Sequence, residues 1–139
     1  MSDSSNELLS VARGWAEKAE NDLENATHTL KLGDEGPTDT ICFHAQQCVE
    51  KYLKAMLVLR GIEFRRIHDI SALLGLVPED LRPDLAIEEQ ERLTDYAVTT
   101  RYPGDYDVIS LSEAQEAVDL ASRVRQHVCQ RLPKLALPG

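Results

Sequence analysis

Basic charge is scarce in this chain. Lysine and arginine number 15 against 24 aspartates and glutamates, leaving a net charge of −9 over 139 residues. A surface of that sign repels a nucleic-acid backbone, which argues against extended DNA binding but leaves room for a small local basic site. Long apolar runs are missing too. No stretch approaches the roughly 18 residues that a membrane span needs, and the segment from Met1 to Ser10 has neither the basic start nor the apolar core of a signal peptide. A cytoplasmic location is the expectation. The three cysteines, Cys42, Cys48 and Cys129, leave one out of any disulfide scheme, and no CxxC or metal-ligand spacing joins them. They read as small buried hydrophobes in a reducing compartment, with no metal site. P-loop, dinucleotide fingerprint, HExxH and nucleophile elbow are all absent. No cofactor is expected.

Strand-like alternation, internal repeats and linkers are also lacking, so residues 1–139 read as one domain. With 42% hydrophobic residues the chain is long and apolar enough to fold around a core. What remains is helical periodicity. Leu8, Ala12, Trp15, Ala19, Leu23, Ala26 and Leu30 recur at steps of three and four, behind a capping-box spacing from Ser4 to Glu7. Trp15 reads as a core anchor; Glu17, Glu20, Glu24 and Lys31 read as solvated surface. Gly33 ends this helix, and Gly33, Gly36 and Pro37 mark the loop after it.

The central helix follows, closing at Gly61. Ile41, Ala45, Cys48, Tyr52, Ala55 and Leu59 form one apolar stripe, and Cys42, Val49, Leu53 and Met56 form a second beside it. Two stripes mean packing on more than one side. Between them runs a polar line, His44, Gln47, Lys51 and Lys54, whose side chains look the same way. Beyond Gly61, Asp69 is placed to cap a short helix through Leu74. Gly75, Pro78 and Pro83 interrupt the chain before a third substantial helix, expected from about Ala86 to Thr100 with Ile87, Leu93, Tyr96 and Ala97 facing in. Pro103 and Gly104 force a turn. The last helix starts at Ser110, with a capping-box spacing to Glu113, and stops near Leu132 before Pro133. Its stripe is Ala114, Ala117, Ala121, Val124 and Val128; the final LeuAlaLeuProGly reads as a frayed tail. The predicted fold is all-α: an up-and-down bundle of four long helices with short helical turns between the second and third.

The run from Cys42 to Leu57, CFHAQQCVEKYLKAML, resembles the HEPN family (higher eukaryotes and prokaryotes nucleotide-binding domain). The segment from Trp15 to Leu23, His68, and Tyr96-Ala97-Val98-Thr99-Thr100-Arg101-Tyr102-Pro103 extend the likeness over nearly the whole chain. The resemblance implies one of two roles. Many small HEPN proteins pair with a separate minimal nucleotidyltransferase, in toxin–antitoxin-like systems; others are metal-independent ribonuclease toxins. Those ribonucleases carry an arginine followed, after four to six residues, by a histidine, the first stabilising phosphate charge and the second moving the proton of the 2′-hydroxyl. Here that spacing from Arg101 reaches Tyr106, Asp107 or Val108. Arg60 and His68, Arg65 and His68, and Arg123 and His127 miss it as well. The nucleotidyltransferase signature is also missing. The expectation is therefore a nucleotide-binding or partner-binding subunit without catalytic residues of its own, the alternative being a divergent ribonuclease that uses Arg101 with His44 or His68.

Two readings fit the polar line. In one, His44 and Gln47 make buried hydrogen bonds while Lys51 and Lys54 reach along the surface to water. In the other, His44, Gln47, Lys51 and Lys54 wall a nucleotide or anion site closed by Arg101, with the Tyr102 ring available for stacking and Pro103 holding the turn. Arg65, Arg66 and His68 are an alternative anion site, in a segment that looks less preorganised; solvated charge is the other reading of the two arginines. Arg60 fits a cation at a helix C-terminus. Asp105-Tyr106-Asp107 reads as solvated turn. Leu9, Ala16, Leu57, Val58 and Val118 fall outside the main stripes, predicting an uncovered apolar strip. HEPN proteins commonly form two-fold dimers, and the resemblance therefore implies a homodimer as well.

Overall fold

The computed structural model describes residues 3–97 and 108–139, with the side chains of Asp3 and Ser4 excepted. Five α-helices follow one another: α1 (Asp3–Leu30), α2 (Thr38–Leu59), α3 (Ile70–Leu76), α4 (Ile87–Tyr96) and α5 (Leu111–Cys129). Short 3-10 turns lie at Gly33–Glu35, Glu79–Leu81 and Lys134–Ala136, and no strand occurs among the described residues. The all-α bundle of four longer helices, with short helical turns between the second and third, is thus the architecture observed. Among the described residues no helix is long and apolar enough to cross a membrane.

The α1–α2 pairing is the most extensive in the bundle, followed by α2–α5. Alanines make the first possible: Ala12, Ala16, Ala19 and Ala26 are all fully buried, so the two backbones approach closely. Helix α2 is covered on both stripes, with Ile41, Cys48, Val49, Tyr52, Leu53 and Leu57 all inaccessible to solvent. The short connection from Lys31 to Pro37 makes α1 and α2 antiparallel. Gly33 and Gly61 take φ of +63° and +68°, the left-handed conformation expected of them. At Gly61 the closure is a Schellman motif: Ile62 N–H donates to Leu57 C=O and Gly61 N–H to Val58 C=O, each at 3.0 Å.

Two of the expected caps are seen, one with a change of partner, whereas Ser4 is not the first cap, since α1 is already helical at Asp3. Asp69 accepts from Ala72 N–H at 2.9 Å and starts α3. Ser110 accepts from Glu113 N–H at 3.0 Å and starts α5, but the Glu113 carboxylate does not turn back on the cap. It accepts the Tyr96 hydroxyl and so ties α4 to α5. Ser110→Ala should therefore cost about 1 kcal/mol of stability in urea titration; an unchanged midpoint would show that the hydroxyl contributes nothing to that helix start.

Several surface expectations are corrected. Ile87 is 69% exposed, and Leu85, still in extended chain ahead of the helix, takes the inward place. The C-terminal residues are not frayed: Ala136 is fully buried and its 3-10 turn packs on α1. Glu20 is not plain solvated surface, since it accepts the Arg125 Nε–H at 2.5 and 2.9 Å and the Tyr52 hydroxyl at 3.3 Å. The apolar strip is not there either. Ala16, Leu57 and Val118 are buried within one chain, and Leu9 and Val58 pack half-buried against the same core, because α1 and α2 are each covered by more than one neighbour. The expected run of α4 to Thr100 and the turn from Arg101 to Asp107 lie outside the described residues.

Candidate functional site

The polar line of α2 divides into two networks, each built on one buried carboxylate. The first carboxylate comes from α1. Asp22 is 7% exposed; its Oδ1 meets His44 Nδ1 at 2.8 Å and its Oδ2 accepts from Lys51 Nζ at 2.5 Å. One side chain thereby binds two residues of the line across the α1–α2 seam. Asp22 had a readable signal: it sits between Ala19 and Ala26 at helical spacing, on a stripe where a carboxylate requires a partner.

The second network lies within α2 itself. Glu50, 3% exposed, accepts from Gln46 Nε2 at 3.0 Å through Oε1 and from Lys54 Nζ at 2.9 Å through Oε2. Gln47 Nε2 donates to Gln46 Oε1 at 2.7 Å and so joins the same chain of bonds. The pairs Gln46–Glu50 and Glu50–Lys54 stand four apart, the spacing at which side chains on a helix meet. His68, from the segment after α2, approaches the same Oε2 with Nδ1 at 3.2 Å. One residue of the alternative site is thus connected to the polar line; Arg65 and Arg66 are exposed and make no such contact. Sequence reasoning missed Gln46 and Glu50.

Lys54 departs most from expectation. It does not reach water: it is 4% exposed, with its ammonium 5.2 Å from the Trp15 ring centroid and 5.6 Å from that of Phe64. The two rings meet edge to face at 5.9 Å. The physical cause is the segment 62–68, which folds back over the helix end and closes the lysine under Phe64. A cation so enclosed gains from both ring faces and from Glu50 what it loses in hydration. Lys51 remains partly exposed but is likewise paired. Among the described residues no buried side-chain nitrogen or oxygen lacks a partner.

The electrostatic result is balance. Two carboxylates face two ammonium groups, and the imidazoles of His44 and His68 lie where the networks meet solvent, their side chains 26% and 66% exposed. A phosphate arriving at Lys51 or Lys54 must compete with Asp22 or Glu50. Arg101 and Tyr102, the expected closure of the site, lie outside the described residues. Burial pushes the Cys42 thiol up to about 12 and raises Cys48 and Cys129 as well, so none of the three is a ready nucleophile. Among the described residues no group of three His, Cys, Asp or Glu is placed to hold a metal.

Two hollows lie away from the line. One, of about 320 Å³, is lined by Asp84, Glu89, Arg123 and His127 among others. Its cationic partners are engaged: Arg123 Nη2 donates to Asp84 C=O and to Glu89, and His127 Nε2 lies 2.8 Å from Leu81 C=O. The other is an open groove of about 990 Å³ between α1 and α5, lined by Glu20, His28, Lys31 and Arg125 among others.

A family model described as HEPN domain matches residues 12–132. A protein of Methanocaldococcus jannaschii, "Putative toxin MJ1304", is 35% identical over 106 residues, spanning 70% of this chain and 67% of that one. Two solved structures share the fold. TT1696 from Thermus thermophilus aligns with a TM-score of 0.71 at 34% identity, over 87% of this chain and 98% of that one. ST0689, an archaeal HEPN homologue, aligns with a TM-score of 0.68 at 30% identity, over 88% and 98%.

Proposed function

Since the chain belongs to the HEPN family, we propose that it is the binding subunit of a toxin–antitoxin-type pair, working with a separate minimal nucleotidyltransferase rather than cutting RNA itself. One observation carries this reading. The cations of the α2 polar line are already matched, Lys51 to Asp22 and Lys54 to Glu50, so the line is built to hold a shape rather than to drive phosphate chemistry. The missing arginine-to-histidine spacing supports it from the sequence side, and the likeness to the M. jannaschii protein supports the toxin-type setting. His44, Gln47 and Lys51, the members of the line that keep some exposure, are the proposed wall of the nucleotide site; Lys54, closed in at 4% exposure, is not. A homodimer is part of the same proposal.

If a minimal nucleotidyltransferase is encoded beside the gene, its co-expression with this chain should yield a complex that survives size-exclusion chromatography. Separate elution of the two chains would remove the pairing. Calorimetry with ATP should show binding by the purified chain; no measurable heat would remove the nucleotide part of the proposal.

A second reading has its own observation. His68 is held through Nδ1 by a buried carboxylate while the rest of its ring faces solvent, the orienting arrangement that general acid–base catalysis uses. With Arg101 it would make the chain a divergent metal-independent ribonuclease. RNA cleavage by the purified protein, lost in Arg101→Ala, would put this reading ahead of the first.

A further inference from the structure

The segment between α2 and α3 was expected to be loosely organised, and it is pinned at both ends. Ile67 N–H donates to Phe64 C=O at 2.9 Å, closing a four-residue turn around Arg65 and Arg66. Before the arginines, the Phe64 ring is seated on Trp15 and over the Lys54 ammonium. After them, His68 is bound to Glu50. Arg66 takes φ of +46°, the one non-glycine residue with positive φ among those described. Its Cβ makes that conformation unfavourable, and glycine would adopt it freely. A disfavoured backbone held by its surroundings, with an arginine where glycine fits best, is a reason to look for a task.

What the turn displays is cationic and open. Arg65 and Arg66 are exposed, and His68 is 66% exposed. The acidic side chain beside Arg65 is Glu63 at 4.0 Å, with both side chains more than four-fifths exposed, a weak contact in water. His68 Nε2, on the far side of the ring from Glu50, has no acceptor among the described residues. In the protonated ring Nδ1–H donates to Glu50 and Nε2–H is free to donate outward. Two guanidinium groups, joined by the His68 ring when it is protonated, match a small tetrahedral anion. The net charge of −9 over the whole chain works against a long polyanion, so a single phosphate group fits better than a backbone.

We propose that Arg65, Arg66 and His68 form a binding site for a terminal phosphate monoester, that of a mononucleotide or of an RNA end, with Glu50 and Lys54 as positioning residues that aim His68. This rests on the reading of the chain as a nucleotide-handling subunit and assigns the phosphate to the turn rather than to the lysines of α2.

The test is NMR titration of the full-length protein with AMP, adenosine, and a short RNA carrying either a 5′-phosphate or a 5′-hydroxyl. AMP and the phosphorylated RNA should shift the resonances of residues 64–68; adenosine and the hydroxyl-ended RNA should not. A response to AMP alone assigns the site to free nucleotides. Arg65→Ala with Arg66→Gly should weaken AMP binding about tenfold or more, from two lost charge-assisted contacts. Arg66→Gly alone should weaken binding while raising Tm by about 3 °C, because the backbone is relieved. That opposed pair of effects is not what plain surface charge would give. In Glu50→Gln, followed by imidazole ¹⁵N shifts at a temperature where it stays folded, His68 should lose its preference for the Nδ1–H form and AMP should bind more weakly. AMP affinity unchanged in the Arg65→Ala, Arg66→Gly protein overturns the proposal. So does AMP affinity lost only in Lys51→Ala with Arg101→Ala, which returns the phosphate to the polar line. Nucleotidyltransferase pairing should survive the turn substitutions, so failure of this site is separable from failure of the binding-subunit reading.

Discussion

Glu50→Ala is expected to cost about 3–5 kcal/mol of folding free energy, the penalty of leaving a buried ion without its partner. Glu50 and Lys54 are 3% and 4% exposed, and the lysine's ammonium lies against the Trp15 and Phe64 rings. Removing the carboxylate also strips acceptors from Gln46 Nε2 and His68 Nδ1. The cause is charge rather than volume, which a second variant separates. Glu50→Gln with Lys54→Met keeps the packing, places a polarizable thioether beside the two rings, and leaves no ion at this pair. It should recover most of the loss. Urea denaturation of the single and double variants measures both. A double variant as unstable as Glu50→Ala would mean that the pair matters for something other than charge balance.

Tyr52→Ala should cost a comparable ~3–5 kcal/mol, as large aromatic-to-alanine changes in packed cores do. Tyr52 is the largest fully buried side chain among the described residues and lies on α2, which packs against both α1 and α5. Its hydroxyl donates to Glu20 Oε1, which also holds Arg125 from α5, so the ring and its polar tip link three helices. Tyr52→Phe keeps the ring and removes one long hydrogen bond of 3.3 Å, for an expected loss of about 0.5–1.5 kcal/mol. The contrast tests whether apolar packing or the Glu20 link dominates the seam. Equal losses in the two variants would shift the weight to the hydrogen bond.

The polar line shows how far a site can be read before it is folded. That His44, Gln47, Lys51 and Lys54 share a face is a property of helical spacing alone, and the structure keeps them together on α2. What each touches is not a local property. Asp22 lies 22 and 29 residues away from His44 and Lys51, and His68 lies 18 residues from Glu50. Lys54 looked like a lysine that lays its stem on the surface and puts its charge in water. Whether it does so depends on the segment that crosses above it, and here that segment brings Phe64 down as a lid.

By itself the sequence determined the all-α class, the order of the helices, the glycine stops at Gly33 and Gly61, the caps at Asp69 and Ser110, and family membership through the run from Cys42 to Leu57. These depend on interactions within a few residues along the chain: apolar periodicity, capping side chains and left-handed glycines. Only the tertiary structure decided that Ala16, Leu57 and Val118 belong to the core of one chain, that Glu20 and Asp22 on one helix serve Arg125, His44 and Lys51 on two others, and that Lys54 is enclosed. The reason is that burial and charge pairing are set by what packs opposite. An apolar or ionised side chain carries no record of its partner, and the bundle supplies that partner from tens of residues away.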